Sequence, residues 1–223
     1  MTNETMLKRL AEMVDSECNV NPALYNQLME DLKADIRMDN NKAKGCGNLA
    51  KLAKAMFKEA PENRKEMQYS HISNGIQFVL DGYRIAGFYE PIDLPEYDDY
   101  KEKENMMPTW YNVAPMFDNL EYDDESPLQL PTIGELKAGI KIAKAGKPRG
   151  IRIMWKFECG PLVNAQYLLD FMEAFPDMKI YASANKPFVS PLFIDAEKGM
   201  GILLPIHIRR EGMETGINTE WDM

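Results

Sequence analysis

Apolar residues recur along the chain with two spacings, and each spacing predicts one kind of element. In residues 4–14, residues 22–37 and the segment from Asn48 to Ala60, they recur every three or four positions, which is typical of helices with one buried face. Shorter apolar runs that end at turn residues lie between the helical segments and predict strands. This alternation indicates an α+β protein, with helices packed on an antiparallel sheet.

The segment from Pro161 to Ile208 has the clearest pattern. Asn164 is a favourable N-cap and Pro176 prevents continuation, so a helix is predicted from Ala165 to Phe175. Turn sequences at Asn185-Lys186-Pro187 and Glu197-Lys198-Gly199 separate the three apolar runs that follow, which are Met178 to Ala184, Phe188 to Asp195 and Gly201 to Ile208. The order predicts one helix followed by an antiparallel meander.

Two other regions carry strand and helix signals. The runs Met67 to Ser73 and Gly75 to Glu90 predict strands joined by a hairpin turn at Asn74-Gly75. Thr132 and Glu135 form a capping box that predicts a helix up to Gly146. The alternation from Ile151 to Phe157 then predicts a half-buried strand with a basic outer face.

The net charge of −9 is confined to one part of the chain. From Asp93 to Glu125 there are eleven acidic and two basic residues, and the remainder of the chain is neutral. The acidic residues lie in a proline-punctuated connection, residues 91–131, whose aromatic residues Trp110, Tyr111 and Phe117 suggest that it packs on the core. It could shield a basic surface, or it could be an ordinary surface insertion.

Basic residues concentrate on two of the predicted helices. Lys51, Lys54 and Lys58 lie opposite the apolar stripe of the helix from Asn48 to Ala60. From Leu136 to Phe157 there are seven basic residues and no acidic one. That run is the best candidate for contact with nucleic-acid phosphates, although lysines on a helix also serve simply as a solvated face. The candidate DNA-binding residues are Lys51, Lys54, Lys58, Lys137, Lys141, Lys144, Lys147 and Arg149.

Residues for catalysis or cofactor binding are scarce. His71 and His207 lie in predicted strands, away from any nucleophile or metal-binding motif. The three cysteines, Cys18, Cys46 and Cys159, have no pairing pattern and indicate reduced thiols in a cytoplasmic protein. Neither a signal peptide nor a membrane-spanning stretch is predicted. We therefore expect no catalytic set, no metal, no cofactor and no membrane partner.

Two stretches resemble the bacterial DNA polymerase III beta sliding clamp. The helix NAQYLLDFMEAF, followed by SPLFI and the strand GILLPIHI, is similar to the end of that family's last domain. Upstream, Asp81-Gly82-Tyr83-Arg84-Ile85-Ala86 is similar to the clamp sequence T-D-G-H-R-L-A. The resemblance implies a clamp-like core over residues 47–208 that includes the acidic insertion. Residues 1–46 would be a helical extension, which packs on the core or makes an oligomer contact, and residues 209–223 would be a tail.

The resemblance also implies a function without catalysis. Sliding clamps encircle duplex DNA through basic helices, without reading its sequence, and tether replication proteins through short peptides. The chain is too short for three clamp repeats, so a ring would require a homo-oligomer. The candidate residues for a partner-peptide pocket, carried over by position, are Gly82, Tyr83, Arg84, Ile85, Leu204, Pro205, Ile206 and Ile208.

Several departures from the clamp pattern leave a second function open. Tyr83 and His207 replace a family histidine and arginine, and the helix from Ala165 to Phe175 carries Asp170 and Glu173 but no base. The first expectation is a clamp-like replication accessory factor that acts in processivity, of a phage or mobile-element type. The alternative is a clamp-derived interaction module that does not encircle DNA and acts as a decoy or regulator of the replication machinery.

Overall fold

A computed structural model describes residues 9, 12–13, 21–96, 113–118, 120, 122, 126–146, 153–158, 160–183 and 185–206. Its helices are α1 (Pro22–Ala43), α2 (Gly47–Glu59), α3 (Ala114–Asp118), α4 (Ile133–Gly146) and α5 (Ala165–Ala174). Its strands are β1 (His71–Ser73), β2 (Ile76–Leu80), β3 (Arg84–Phe88), β4 (Met154–Lys156), β5 (Leu162–Asn164), β6 (Lys179–Tyr181), β7 (Leu192–Ala196) and β8 (Gly199–Leu203). This mixture of helices and antiparallel strands is that of an α+β protein, as predicted.

Six strands form one antiparallel sheet in the order β1-β2-β3-β8-β7-β6. The two halves of this order have the same arrangement of elements: helix α2 precedes the meander β1-β2-β3, and helix α5 precedes the meander β6-β7-β8. The two meanders join where β3 pairs with β8, with Arg84 opposite Leu203 and Phe88 opposite Gly199. Strands β4 and β5 form a separate antiparallel pair. The sheet is therefore built from two similar halves that meet at its centre.

Helices cover one face of the sheet. Helix α5 contacts both α2 and α4, so it lies between them, and α2 also contacts strands β2 and β3. The main apolar core lies in this layer and includes Met56 from α2, Leu168 and Phe171 from α5, and Phe88 from β3. Burying these large side chains is the main favourable contribution to folding.

The acidic connection covers part of the opposite face. The ring of Phe117 in α3 lies 5.8 Å from that of Phe78 and 6.3 Å from that of Phe193. Tyr122 stacks on Phe193 at 4.4 Å. Val113 is buried in the same cluster. The prediction that the aromatic residues hold this connection to the core is confirmed for Phe117, whereas Trp110 and Tyr111 lie outside the described residues.

Helix α1 packs against the core through hydrogen bonds as well as apolar contacts. The buried side chain of Asn41 donates to the carbonyl of Asp93 at 2.8 Å and accepts from the Asp93 amide at 2.9 Å. The amide of Ile92 donates to the buried Gln77 side chain at 2.8 Å. Both side chains are satisfied, so the segment after β3 is held between α1 and β2.

Side-chain capping explains where helices α1, α4 and α5 begin. The side chain of Asn164 accepts from the amides of Gln166 and Tyr167, and Asn21 caps α1 ahead of Pro22 in the same way. Thr132 and Glu135 exchange the reciprocal hydrogen bonds of the predicted capping box. The predicted helices over residues 22–37, 48–60 and 165–175 are confirmed, and the first of them extends to Ala43.

Several predicted strand boundaries were wrong. The run from Met67 begins as a 3₁₀ turn, Lys65–Gln68, and becomes a strand only at His71. The run from Gly75 to Glu90 contains two strands, because Gly82 adopts a φ of +86° and the chain turns there. The run from Phe188 also begins as a turn and becomes a strand at Leu192. In the described part of the chain, no helix is long and apolar enough to cross a membrane.

Candidate functional site

The two segments predicted to form a partner-peptide pocket lie side by side at the centre of the sheet. The amide of Leu204 donates to the carbonyl of Tyr83 at 3.0 Å, continuing the ladder in which Arg84 pairs with Leu203. The turn before β3 is fixed by Asp81, whose Oδ1 accepts from the amides of Tyr83 at 2.9 Å and Arg84 at 2.8 Å. The pairing of β3 with β8 therefore joins residues that are far apart in the sequence.

Only some of the candidate pocket residues are accessible to solvent. Tyr83 is 39% exposed and Leu204 is 38% exposed. Gly82 is also exposed and Ile206 is half-buried, whereas Ile85 and Pro205 are buried. Ile208 lies outside the described residues. The accessible part of the candidate pocket is thus a small apolar surface formed by Tyr83 and Leu204.

Arg84 is a buried structural residue, and its side chain holds this surface in place. Its Nε lies 2.7 Å from Oδ2 of Asp81, and its Nη1 lies 2.6 Å from Oδ2 of Asp170 on α5. The guanidinium carbon also lies 3.9 Å from the ring centre of Tyr167, a cation–π arrangement. The resemblance implied that Arg84 is part of the partner-peptide pocket, but its guanidinium is directed at these two carboxylates.

The candidate DNA-binding lysines lie on two helices that α5 separates. Lys51, Lys54 and Lys58 on α2 are exposed, as are Lys137, Lys141 and Lys144 on α4. Between the two helices, α5 has three half-buried polar residues on its outer side, Gln166, Asp170 and Glu173. Lys147 and Arg149 lie outside the described residues.

Acidic groups on α5 lower the positive charge of this surface. Glu173 Oε1 lies 2.6 Å from the Lys137 ammonium group, and both side chains are solvent-accessible. Lys51 borders a small depression together with Asp170 and Glu173. The basic surface is therefore two lysine rows with a partly acidic ridge between them. The acidic character of this ridge was visible in the sequence, because the helix predicted from Ala165 to Phe175 contains two acidic residues and no basic one.

His71, which was considered as a catalytic candidate, lies in strand β1. Burial lowers the pKa of His71, and Glu96 opposes this effect only partly. His207 and the acidic pairs Asp98-Asp99 and Asp123-Asp124 fall in the part of the chain that is not described. Among described residues, no group of three or more His, Cys, Asp or Glu side chains could hold a metal ion.

Comparison with known proteins assigns no family. The chain matches no protein-family model, and no curated protein sequence is significantly similar to it. The function proposed below is therefore argued from the motifs of the sequence and the geometry of the fold.

Proposed function

We propose that this protein is a sliding-clamp-like accessory factor of DNA replication that tethers a replication protein through a short peptide and contacts the DNA backbone. The observation that carries the proposal is the internal repeat of the sheet, in which two halves, each a helix followed by a three-stranded meander, meet at β3 and β8. This pairing places the clamp-like sequence after Asp81 beside the clamp-like sequence after Leu203. The two segments of the resemblance are therefore neighbours, and Tyr83 and Leu204 are the residues that they expose side by side.

The peptide would bind at Tyr83 and Leu204. Both side chains are more than one third exposed, and they lie at adjacent positions on paired strands. An aromatic ring beside an aliphatic side chain gives a peptide an apolar anchoring surface. The ion pairs of Arg84 with Asp81 and Asp170 hold the turn that carries Tyr83.

DNA would be contacted by the two lysine rows of α2 and α4. Lysines on exposed helix faces can neutralise phosphates without reading base sequence. Because Glu173 pairs with Lys137, we expect Lys54, Lys58 and Lys141 to contribute more than Lys137 to this contact.

Peptide binding is tested with a fluorescent peptide of the class that binds bacterial sliding clamps, by anisotropy titration. The variant Leu204→Asp should weaken binding at least about tenfold, since it places a charge in the apolar anchor site. The control variant Ile72→Asp makes the same type of change at a side chain that is 42% exposed on edge strand β1, and it should bind as the wild type does. Equal binding by both variants would refute the assigned pocket.

DNA contact is tested by titrating labelled duplex DNA at several salt concentrations. For the triple variant Lys54→Glu, Lys58→Glu and Lys141→Glu, affinity should fall and the salt dependence should flatten. The charge-matched control is a second triple variant, Lys179→Glu, Lys186→Glu and Lys198→Glu, at exposed positions outside helices α2 and α4. Wild-type binding that does not respond to salt would exclude the lysine rows as the contact.

A second candidate is favoured by the acidic ridge of α5. Glu173, on the helix between the lysine rows, would face a duplex laid across them, which is unfavourable for encircling DNA. The alternative is a clamp-derived interaction module that binds a peptide without DNA. Light scattering on a sizing column, with and without duplex DNA, separates the two. An oligomer that retains DNA supports the accessory factor, and a monomer that ignores DNA but binds the peptide supports the module.

A further inference from the structure

A groove of about 710 Å³ lies on the side of the molecule where the separate strand pair β4-β5 is found. One wall is the segment of residues 126–131, and the other is the end of β4 with the residues that follow it. Its lining is mixed: Leu128, Leu130, Trp155, Phe157 and Pro187 are apolar, and polar residues such as Gln129, Lys156 and Glu158 lie among them. It is separate from the surface formed by Tyr83 and Leu204.

The outer edge of β4 carries backbone groups that point away from its partner β5. The carbonyl of Ile153 accepts from the amide of Ala165 at 2.8 Å, and the amide of Phe157 donates to the carbonyl of Pro161 at 3.3 Å. In an antiparallel pair the hydrogen-bonded positions alternate, so the backbone amide and carbonyl of Trp155 also point towards β5. The amides and carbonyls of Met154 and Lys156 therefore face outwards.

The neighbouring strand confirms this alternation. Leu162 lies opposite Lys156, and its carbonyl turns away from β4 to accept from the amide of Ile206 at 2.7 Å. On the other side, no described residue forms a backbone hydrogen bond to the outward groups of Met154 or Lys156. A strand edge that the described residues leave open in this way can be a template for another extended segment.

The opposite wall is held by the main sheet. The amide of Leu128 donates to the carbonyl of Ile180 at 2.8 Å, so the segment of residues 126–131 runs beside edge strand β6. That edge is therefore occupied, and the groove lies between two backbone segments. The Trp155 side chain lines the groove, and its Nε1 is shielded from solvent with no acceptor among the described residues.

The sequence contains a segment with the pattern that such a groove requires. From Ile217 to Met223, the residues Ile217, Thr219, Trp221 and Met223 alternate with Asn218, Glu220 and Asp222. This period of two is typical of a strand with one apolar face. The amide of Ile206 is fixed beside β5, within about two strand spacings, or 10 Å, of β4. The residues 207–216 can span about 33 Å when extended, so the segment can reach the groove.

We propose that residues 217–223 bind in this groove as an added antiparallel or parallel strand along the outer edge of β4. Main-chain hydrogen bonds to Met154 and Lys156 would hold the strand, and the apolar face of Ile217 and Trp221 would lie against Trp155 and Phe157. A carbonyl of the added strand would also supply an acceptor near the Trp155 indole. The bound segment would protect an edge that otherwise pairs with extended peptides from other proteins.

Amide hydrogen exchange in the full-length protein tests the proposal. The amides of Met154 and Lys156 should exchange slowly in the wild type. In the double variant Ile217→Asp and Trp221→Asp they should exchange about tenfold faster or more, which corresponds to the loss of one main-chain hydrogen bond. The control variant Asn218→Asp introduces the same side chain on the opposite face and should leave exchange unchanged. The amides of Ile85 and Ala86 in β3 report on whether each variant is folded.

Three results would overturn the proposal. Fast exchange at Met154 and Lys156 in the wild type would mean that the edge is open to another partner. Slow exchange in both the wild type and the double variant would mean that a different segment covers it. Protection that disappears on dilution would mean that the strand comes from a second copy of the chain. Protection that is independent of concentration and lost only in the double variant supports the assignment.

Discussion

Arg84 on β3 and Asp170 on α5 form an ion pair of 2.6 Å that connects the two halves of the fold. The arginine side chain is fully buried, and the aspartate side chain is 16% exposed. Asp81 completes the cluster from the turn before β3, at 2.7 Å from Nε. One guanidinium therefore fixes both the orientation of the turn that presents Tyr83 and the position of helix α5 above it.

Replacement of Arg84 by Met should strongly destabilise the protein. The substitution keeps a long apolar side chain but leaves the carboxylates of Asp81 and Asp170 without their cation, and breaking a buried ion pair from one side typically costs about 3–5 kcal/mol. Urea unfolding followed by circular dichroism measures the loss. The control is Lys137→Met, which breaks the solvent-exposed pair with Glu173 and should cost less than about 1 kcal/mol. Similar losses in the two variants would contradict the structural role of Arg84.

The starts of α4 and α5 could be predicted from the sequence because they depend on neighbouring residues. The cap at Asn164 and the capping box of Thr132 and Glu135 each act within three residues, so their pattern is visible locally. The ion pair of Arg84 with Asp170 joins residues 86 positions apart, and it follows only once β3 and β8 have paired. The sequence pointed to a role for Arg84 in a surface pocket, whereas its buried position depends on tertiary packing.

Strand boundaries were harder to predict for a similar reason. Phe188 and Val189 have strong strand propensity, yet they lie in a turn and are 61% and 50% exposed. Strand β5 has only three residues, and its short run gives no periodic signal. The separation of the lysine rows by α5 also depends on helix packing, which the order of elements along the chain does not specify.

Replacement of Gly199 by Ala should destabilise the junction between β3 and β8. A Cβ at this position would lie 2.2 Å from the carbonyl oxygen of Gly87 and 3.0 Å from the Phe175 ring. The backbone must move to relieve the first contact, and such overpacking typically costs about 1–3 kcal/mol. Thermal unfolding measures the change.

Gly134→Ala is the matched control for this substitution. A Cβ at Gly134 in the first turn of α4 would meet only the Thr132 hydroxyl, at 3.9 Å. Alanine is favoured over glycine in a helix by up to about 1 kcal/mol, so this variant should be as stable as the wild type or more stable. If Gly199→Ala unfolds at the wild-type temperature, the close approach of β8 to β3 is wrong.

The capping box of α4 should make a contribution to stability that depends on pH. Hydrogen bonds from the Thr132 hydroxyl and amide lower the pKa of Glu135 below its ordinary value of 4.5. Because the folded-state pKa is the lower one, the contribution is fully present above pH 4.5 and is lost as the pH falls through the folded-state value. Glu135→Gln should therefore be less stable than the wild type at pH 7, and the difference should shrink at pH 3. Urea unfolding at both pH values measures it, and a difference that grows on acidification would contradict the assigned hydrogen bonds.

Phe117 should anchor the acidic connection to the outer face of the sheet. Its ring contacts Phe78 on β2 and Phe193 on β7, so it bridges strands from the two halves. Because the side chain is only partly buried, its truncation to Ala should cost about 2 kcal/mol of unfolding free energy, which is less than the truncation of a fully buried phenylalanine costs. The neighbouring Met116 is 47% exposed, and Met116→Ala should change the stability little. Urea unfolding gives both values.

Limited proteolysis should also cut the Phe117→Ala variant faster within residues 91–131, because a connection released from the sheet opens locally to the protease. Cleavage at the wild-type rate would mean that contacts other than the Phe117 ring hold this segment in place.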